Sequence, residues 1–222
     1  NGKDVVITSN FIIDQDSIYI SQTIIDGGGN TSYSDTGVIT YDNGESKTSQ
    51  LIGLTIQNGL SGISATNSSP ILKNLIIQTS YPGLNVRNNS TVTLENSIIK
   101  NNNTGIYILS RGELIARDII VHSNIREDAL GGAGLILYDN LNIKPTARIS
   151  NSLFFNNTGT HSNSRSGAIT NWGGDLYLTN VTISGNTTNS SIGSGGIWQE
   201  TTKTNPDVGE EASIKMRNCI IY

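Results

Sequence analysis

An all-β solenoid of about eight coils, each built from three short strands, is the fold this sequence predicts. Three observations carry it. A pattern of aliphatic residues around an Asn recurs along the chain, copies near the middle are about 21–22 residues apart, and most are followed by a Gly-led strand. So short a step has no room for two helices and suits three strands with three turns. Period-two alternation and plentiful Ile, Val and Thr favour strands.

Residues 92–108 form the reference coil, with the shortest corners. The Asn slot falls at Gly53, Asn74, Asn96, Asp118, Asn151, Asn180 and Asn218, with a weaker first copy at Gln22. Two residues earlier stand Ile20, Leu51, Leu72, Leu94, Ala116, Ile149, Leu178 and Met216. Three residues later stand Ile25, Ile56, Ile77, Ile99, Val121, Phe154, Ile183 and Ile221. A sharp corner needs one residue in the left-handed region, which Gly, Asn and Asp tolerate best. The slot asparagines are expected to stack into a hydrogen-bonded ladder. Alternation points Leu94, Ser97, Ile99, Ile106 and Ile108 inward, and Glu95, Ile98, Lys100 and Tyr107 outward. Cys219 takes an inward slot as a small apolar filler.

Two stretches add a resemblance: Gly2-Lys3-Asp4-Val5-Val6-Ile7 with Thr23-Ile24-Ile25-Asp26-Gly27-Gly28-Gly29, and Leu51-Ile52-Gly53-Leu54-Thr55-Ile56-Gln57-Asn58-Gly59. The chain resembles the right-handed parallel β-helix proteins of the pectate-lyase-like superfamily, of the secreted or surface bacterial type. The resemblance implies three short parallel sheets, with the second before the Asn corner, the third after it and the first led by Gly. Eight coils at ~4.8 Å give a rod roughly 35–40 Å long. Both ends read as mid-repeat, so the expectation is one β-helix domain over residues 1–222, cut from a longer protein that lies outside the cell or on its surface.

Composition excludes several functions. Net charge is −4 with no basic cluster, against a nucleic-acid partner. No apolar run approaches the roughly 18 residues of a membrane span. Cys219 is the only cysteine, so there is no internal disulfide and no site built on several thiolates. No cofactor is expected.

Departures from the reference coil direct attention to one face. The corners after the third sheet expand to nine residues at 125–133, 158–166 and 187–195, and equal lengths predict that they pack together. Further expansions lie at 138–146 and 200–212. Long loops on a rigid scaffold often carry function. The outward first-sheet positions between them are read as Ile39, Ser64, Asn85, Tyr107, Ile136, Ile169 and Trp198. The next row is Tyr41, Thr66, Arg87, Leu109, Tyr138, Asn171 and Glu200. Tyr107, Tyr138, Trp172, Trp198 and Glu200 are therefore the candidate ligand-binding residues, since aromatic faces suit the C–H faces of sugars. The alternative is that loops simply cover the rings.

The superfamily's uronate lyases would imply outward carboxylates holding calcium, and its galacturonan hydrolases clustered aspartates. This sequence places only Glu200 and Arg87 on the first sheet, four coils apart. Asp26 reads as a turn residue. The catalytic alternative rests on the loop-borne His122, Glu127, Asp128 and His161, where an imidazole beside a carboxylate would act as acid or base. Calcium enters only through Asp207, Glu210 and Glu211, which also read as a charged, solvated loop. Finally, Ile76, Ile98, Ile120 and Leu153 head an aliphatic stripe on the third sheet.

Three readings follow. The chain is a non-catalytic scaffold or recognition module for a polysaccharide or cell-surface glycan; a polysaccharide lyase or hydrolase with a loop-borne site; or an assembly component docking a protein through its coil ends or the stripe.

Overall fold

The computed structural model describes residues 3–29, 37–128, 131–139, 143–200 and 212–222. All strand pairs are parallel, and each strand pairs with its counterpart about one coil later in the chain. The second sheet runs from Val6–Thr8 through Gln50–Ile52, Ile71–Lys73, Thr91–Glu95 and Glu113–Arg117 to Ser213–Arg217. The first sheet comprises Ile39–Tyr41, Ile63–Thr66, Leu84–Arg87, Ile106–Leu109, Leu135–Tyr138, Ile169–Trp172 and Ile197–Glu200. In coils 6 and 7, Thr146–Phe155 and Asp175–Ser184 run unbroken around the Asn corner and join the second sheet to the third. Eight coils result.

The core is two aliphatic columns plus the inward residues of the first sheet. Leu51, Leu72, Leu94, Ala116, Ile149 and Leu178 are in register, each no more than 2% exposed. Ile56, Ile77, Ile99, Val121, Phe154 and Ile183 form the second column, no more than 1% exposed. Each large side chain so buried contributes roughly 1.5–3 kcal/mol. Burial in strand Thr91–Glu95 alternates as the pattern requires: Val92 and Leu94 are buried, their neighbours half-buried.

The corner slot behaves as the sequence indicates. Asn74, Asn96, Asp118, Asn151, Asn180 and Asn218 have φ between 48° and 56°, and Gly53 has φ 71°. The first coil is different. Its second-sheet strand is Val6–Thr8, with Ile7 paired to Leu51, so Ile7 and not Ile20 heads the column. Ile20 and Gln22 lie in a helical turn, Ile18–Gln22, that follows another at Phe11–Asp14. These turns fill the first corner, where Ser9 Oγ donates to Gly53 O at 2.5 Å and Thr55 Oγ1 donates to Ile20 O at 2.7 Å. Gln22 is therefore not a corner slot.

The stacked ladder also sits elsewhere. It runs through Asn102, Asn124, Asn157 and Asn186, at the corner between the third and first sheets. Each Nδ2 donates to the next Oδ1 at 2.8–3.1 Å, and also to a third-sheet carbonyl of the preceding coil. Each next Oδ1 accepts a backbone N–H as well. Ser80 and Gly59 occupy the same position in earlier coils, and Gly59 N donates to Ser80 Oγ. In the slot predicted to form the ladder, one side-chain bond links neighbours, from Asn180 Nδ2 to Asn151 Oδ1 at 3.0 Å. From Asn96 onward the slot faces solvent, so its residues serve backbone conformation, while the buried corner must satisfy its polar groups internally.

Candidate functional site

The three enlarged corners do pack together. Ile125–Arg126, Thr158–Gly159 and Thr187–Thr188 form a parallel sheet, and Gly132, Ser166 and Ser194 bridge beyond it. They lie against the outer face of the first sheet. Gly131 approaches the Ile136 side chain, leaving Ile136 2% exposed, and Ser166 Oγ meets Thr170 Oγ1 at 2.9 Å. Part of this face is thus covered by loops.

Register corrects the outward rows in two coils. Thr40, Ser64, Asn85, Tyr107, Ile136, Thr170 and Trp198 share one row, so Thr40 and Thr170 replace Ile39 and Ile169. Tyr41 and Asn171 turn inward and are buried. Trp172 stands in the row of Leu109, Tyr138 and Glu200. The cause is that Val38 and Ala168 take the place of the leading Gly, so counting from Gly37 and Gly167 shifts both strands by one.

That shift brings the aromatic residues together. Tyr138 and Trp172 meet edge to face with centroids 5.3 Å apart, and Trp172 meets Trp198 likewise at 6.2 Å. Arg165, from the second enlarged corner, lies over Trp198 at 4.7 Å and over Trp172 at 5.9 Å. Its Nη2 stands 3.9 Å from Glu200 Oε2. Arg165 Nε and Glu200 Oε2 are both buried and have no hydrogen-bond partner among the described residues. Arg165 was not foreseen as part of this cluster. The signal was its place in an enlarged corner one coil from Trp198.

Tyr107 lies one coil before Tyr138 in a neighbouring setting. Burial pushes its phenol pKa up, and Arg126 opposes the shift. Arg126 Nη1 donates to Thr104 Oγ1 at 2.6 Å, its Nε lies 2.5 Å from Asp128 Oδ1, and the Tyr81 hydroxyl donates to Asp128 Oδ2. Asp128 is thereby engaged by a cation and a phenol.

The proposed acid–base groups do not gather around an imidazole. His122 stacks on Phe155, with centroids 4.8 Å apart and planes 8° from parallel, and contacts Ser123 Oγ at 3.0 Å. Burial, and secondarily the Lys100 charge, lower its pKa. His161 Nδ1 accepts from Asn163 N at 3.0 Å within its own loop, and Glu127 lines a separate depression. Asp26 accepts from Gly28 N, Gln57 Nε2 and Asn58 Nδ2, as a turn residue should. Asp207, Glu210 and Glu211 lie outside the described residues. Among the described residues no three His, Cys, Asp or Glu side chains are grouped to hold a metal ion, and no helix is long and apolar enough to cross a membrane.

The His122 environment gives a pH prediction. Its folded pKa lies below the unfolded value near 6.5, so the unfolded chain takes up the proton first as pH falls. Stability is expected to be full above that value and to decline modestly below it. Urea unfolding between about pH 7 and about pH 5 should show this decline, and His122→Gln should reduce it.

Thr55, Ile76, Ile98, Ile120, Leu153, Thr182 and Ile220 are in register across the third sheet. The stripe is half-exposed in its middle, with Ile120 at 36%, while helical turn Ile18–Gln22 bonds over Thr55.

Comparison with known proteins agrees with this architecture. The family model described as the right-handed β-helix region matches residues 36–212, most of the chain. The chain belongs to the right-handed β-helix family. No curated protein and no solved structure matches it. Membership in this β-helix family accounts for the coils and their hand; activity has to be argued from the surface the coils carry.

Proposed function

We propose that this β-helix is a non-catalytic, extracellular recognition module that holds a saccharide against the first-sheet face of coils 5–7. The observation that carries the reading is the loose pair of Arg165 and Glu200 beside Trp172 and Trp198: they stand 3.9 Å apart, and Arg165 Nε and Glu200 Oε2 have no hydrogen-bond partner among the described residues. Polar atoms shielded from water without a hydrogen bond are costly, and a ligand that supplies one recovers that cost. A sugar hydroxyl suits both at once, because it donates to a carboxylate and accepts from a guanidinium. The ring edges and faces alongside offer apolar surface to sugar C–H groups. A parallel β-helix supplies the rigidity, since each strand is fixed by its neighbours on both sides.

A polysaccharide array tests this directly. One or more glycans should be retained, and Trp198→Ala or Arg165→Gln should lower affinity by about tenfold or more, as loss of a central aromatic or charged contact does. Absence of any retained glycan, or retention unchanged in both variants, rejects the reading.

A further inference from the structure

A second surface, running along the corners of coils 1–5 between the third and first sheets, has the composition of a ligand site. Where the corners after the third sheet are short, in the early coils, they leave a shelf. Two adjoining depressions of about 300 and 320 Å³ lie along it. Gly29, Asn58, Leu60, Thr79 and Tyr81 line the first, and Ser123, Ile125 and Glu127 the second, while Asn101 and Asn103 line both. Each is at the lower end of the roughly 300–1,000 Å³ usual for small-ligand sites. The shelf ends against the first enlarged corner, whose Asp128 accepts from the Tyr81 hydroxyl and fixes that ring at the boundary.

The lining separates into used and available groups. Asn58 is committed, since its Nδ2 donates to Asp26 and its Oδ1 accepts from Thr79 Oγ1. Asn103 Oδ1 is buried with no hydrogen-bond partner among the described residues. Asn101 is exposed, with φ 54° placing it on the corner itself. Two neighbouring carboxamides, one with a desolvated acceptor, thus face a space flanked by apolar surface from Leu60, the 46%-exposed Tyr81 and the 50%-exposed Ile125. Carboxamides donate and accept side by side, matching vicinal hydroxyls, and the apolar groups suit a sugar ring face. Among the described residues no Lys, Arg or His lines either depression, and Glu127 adds a negative charge.

We infer that this shelf binds a neutral saccharide of about two rings, through Asn101, Asn103 and the Tyr81 ring, independently of the aromatic first-sheet face. An acidic sugar is disfavoured there by the negative charge of Glu127.

The test is titration of the ¹⁵N-labelled protein with cellobiose, mannobiose and diacetylchitobiose, with digalacturonate as the acidic counter-probe, followed by side-chain amide shifts. At least one neutral disaccharide should move the Asn101 and Asn103 amide signals. Tyr81→Ala and Asn101→Gly should each weaken that binding by about tenfold, the scale of losing one good contact. Asn101→Gly keeps the left-handed corner, so its effect stays readable even if Tyr81→Ala disturbs the loop. Trp198→Ala should leave this binding unchanged, which separates the shelf from the proposed first-sheet site. No shift with any neutral disaccharide, binding indifferent to both shelf variants, tighter binding of digalacturonate, or binding abolished by Trp198→Ala would each overturn the inference.

Discussion

Replacing Asn124 by Ala is expected to cost about 3 kcal/mol, far more than its single exposed-corner counterparts. Asn124 is fully buried. Its Nδ2 donates to Ile99 O at 3.2 Å and to Asn157 Oδ1 at 2.8 Å, while its Oδ1 accepts from Asn102 N at 3.0 Å and Asn102 Nδ2 at 3.1 Å. Truncation leaves the Asn102 N–H buried without its acceptor, at a cost of about 1–3 kcal/mol, and removes one bond each from Asn102 Nδ2 and Asn157 Oδ1. The void left by the carboxamide adds to that. For a chain of this length each kcal/mol lowers the melting temperature by roughly 2–4 °C, so thermal unfolding should drop by about 10 °C. Asn151→Gly is the control. Asn151 is exposed, and its φ of 50° suits Gly, so the change should stay within about 1 kcal/mol. Similar losses in the two variants would mean that the buried column is no more structural than the exposed one.

That contrast shows how far the fold was legible in the sequence. The column of left-handed corners was readable because only Gly, Asn and Asp occupy it from Gly53 onward. The hydrogen-bonded column was equally periodic, since Asn102, Asn124, Asn157 and Asn186 each stand six residues after a slot residue. In a chain this rich in Asn the pattern alone does not reveal which corner is buried, and the visible repeat was given both roles. The first coil was misread for a related reason: Ile20 and Ile25 bracket Gln22 at the right spacing, yet Ile20 and Gln22 belong to a helical turn, and the true second-sheet strand begins at Val6. Aliphatic spacing over one copy does not separate the two cases; pairing with the next coil does.

The candidate site was legible in kind but not in registry. Tyr107, Tyr138 and Trp198 were placed on the correct sheet, and Trp172 just beyond their face. Their grouping depended on a one-residue offset, since a slip of one inverts every side chain of a strand. Val38 and Ala168 stand where other coils have Gly, and that concealed the offset. Arg165 was unplaced because nothing in a loop's sequence fixes where a long side chain folds back. Its position over Trp198 follows from packing between neighbouring corners, which exists only once the coils are stacked.

Phe154→Ala is the second large effect expected, about 3–5 kcal/mol. Phe154 is the largest fully buried side chain and the one aromatic residue in a column of Ile and Val. Its coil makes room for it. Ala147 and Ala168 stand inward in the same turn, and Gly134 of the preceding coil lies so near that an added Cβ would sit 3.2 Å from Phe154 Cδ1. Small residues around one large one leave little that can collapse into the space, so the cavity persists and the penalty falls in the upper part of that range. In a solenoid each coil touches only its neighbours, so the damage should remain local. Hydrogen exchange should therefore lose protection in coils 5–7, including the strands bearing Tyr138, Trp172 and Trp198, while the amides of Ile77 and Ile99 stay protected. Uniform loss along the rod would show that the coils unfold as one cooperative unit. Local loss would tie the integrity of the aromatic face to this one ring beneath it.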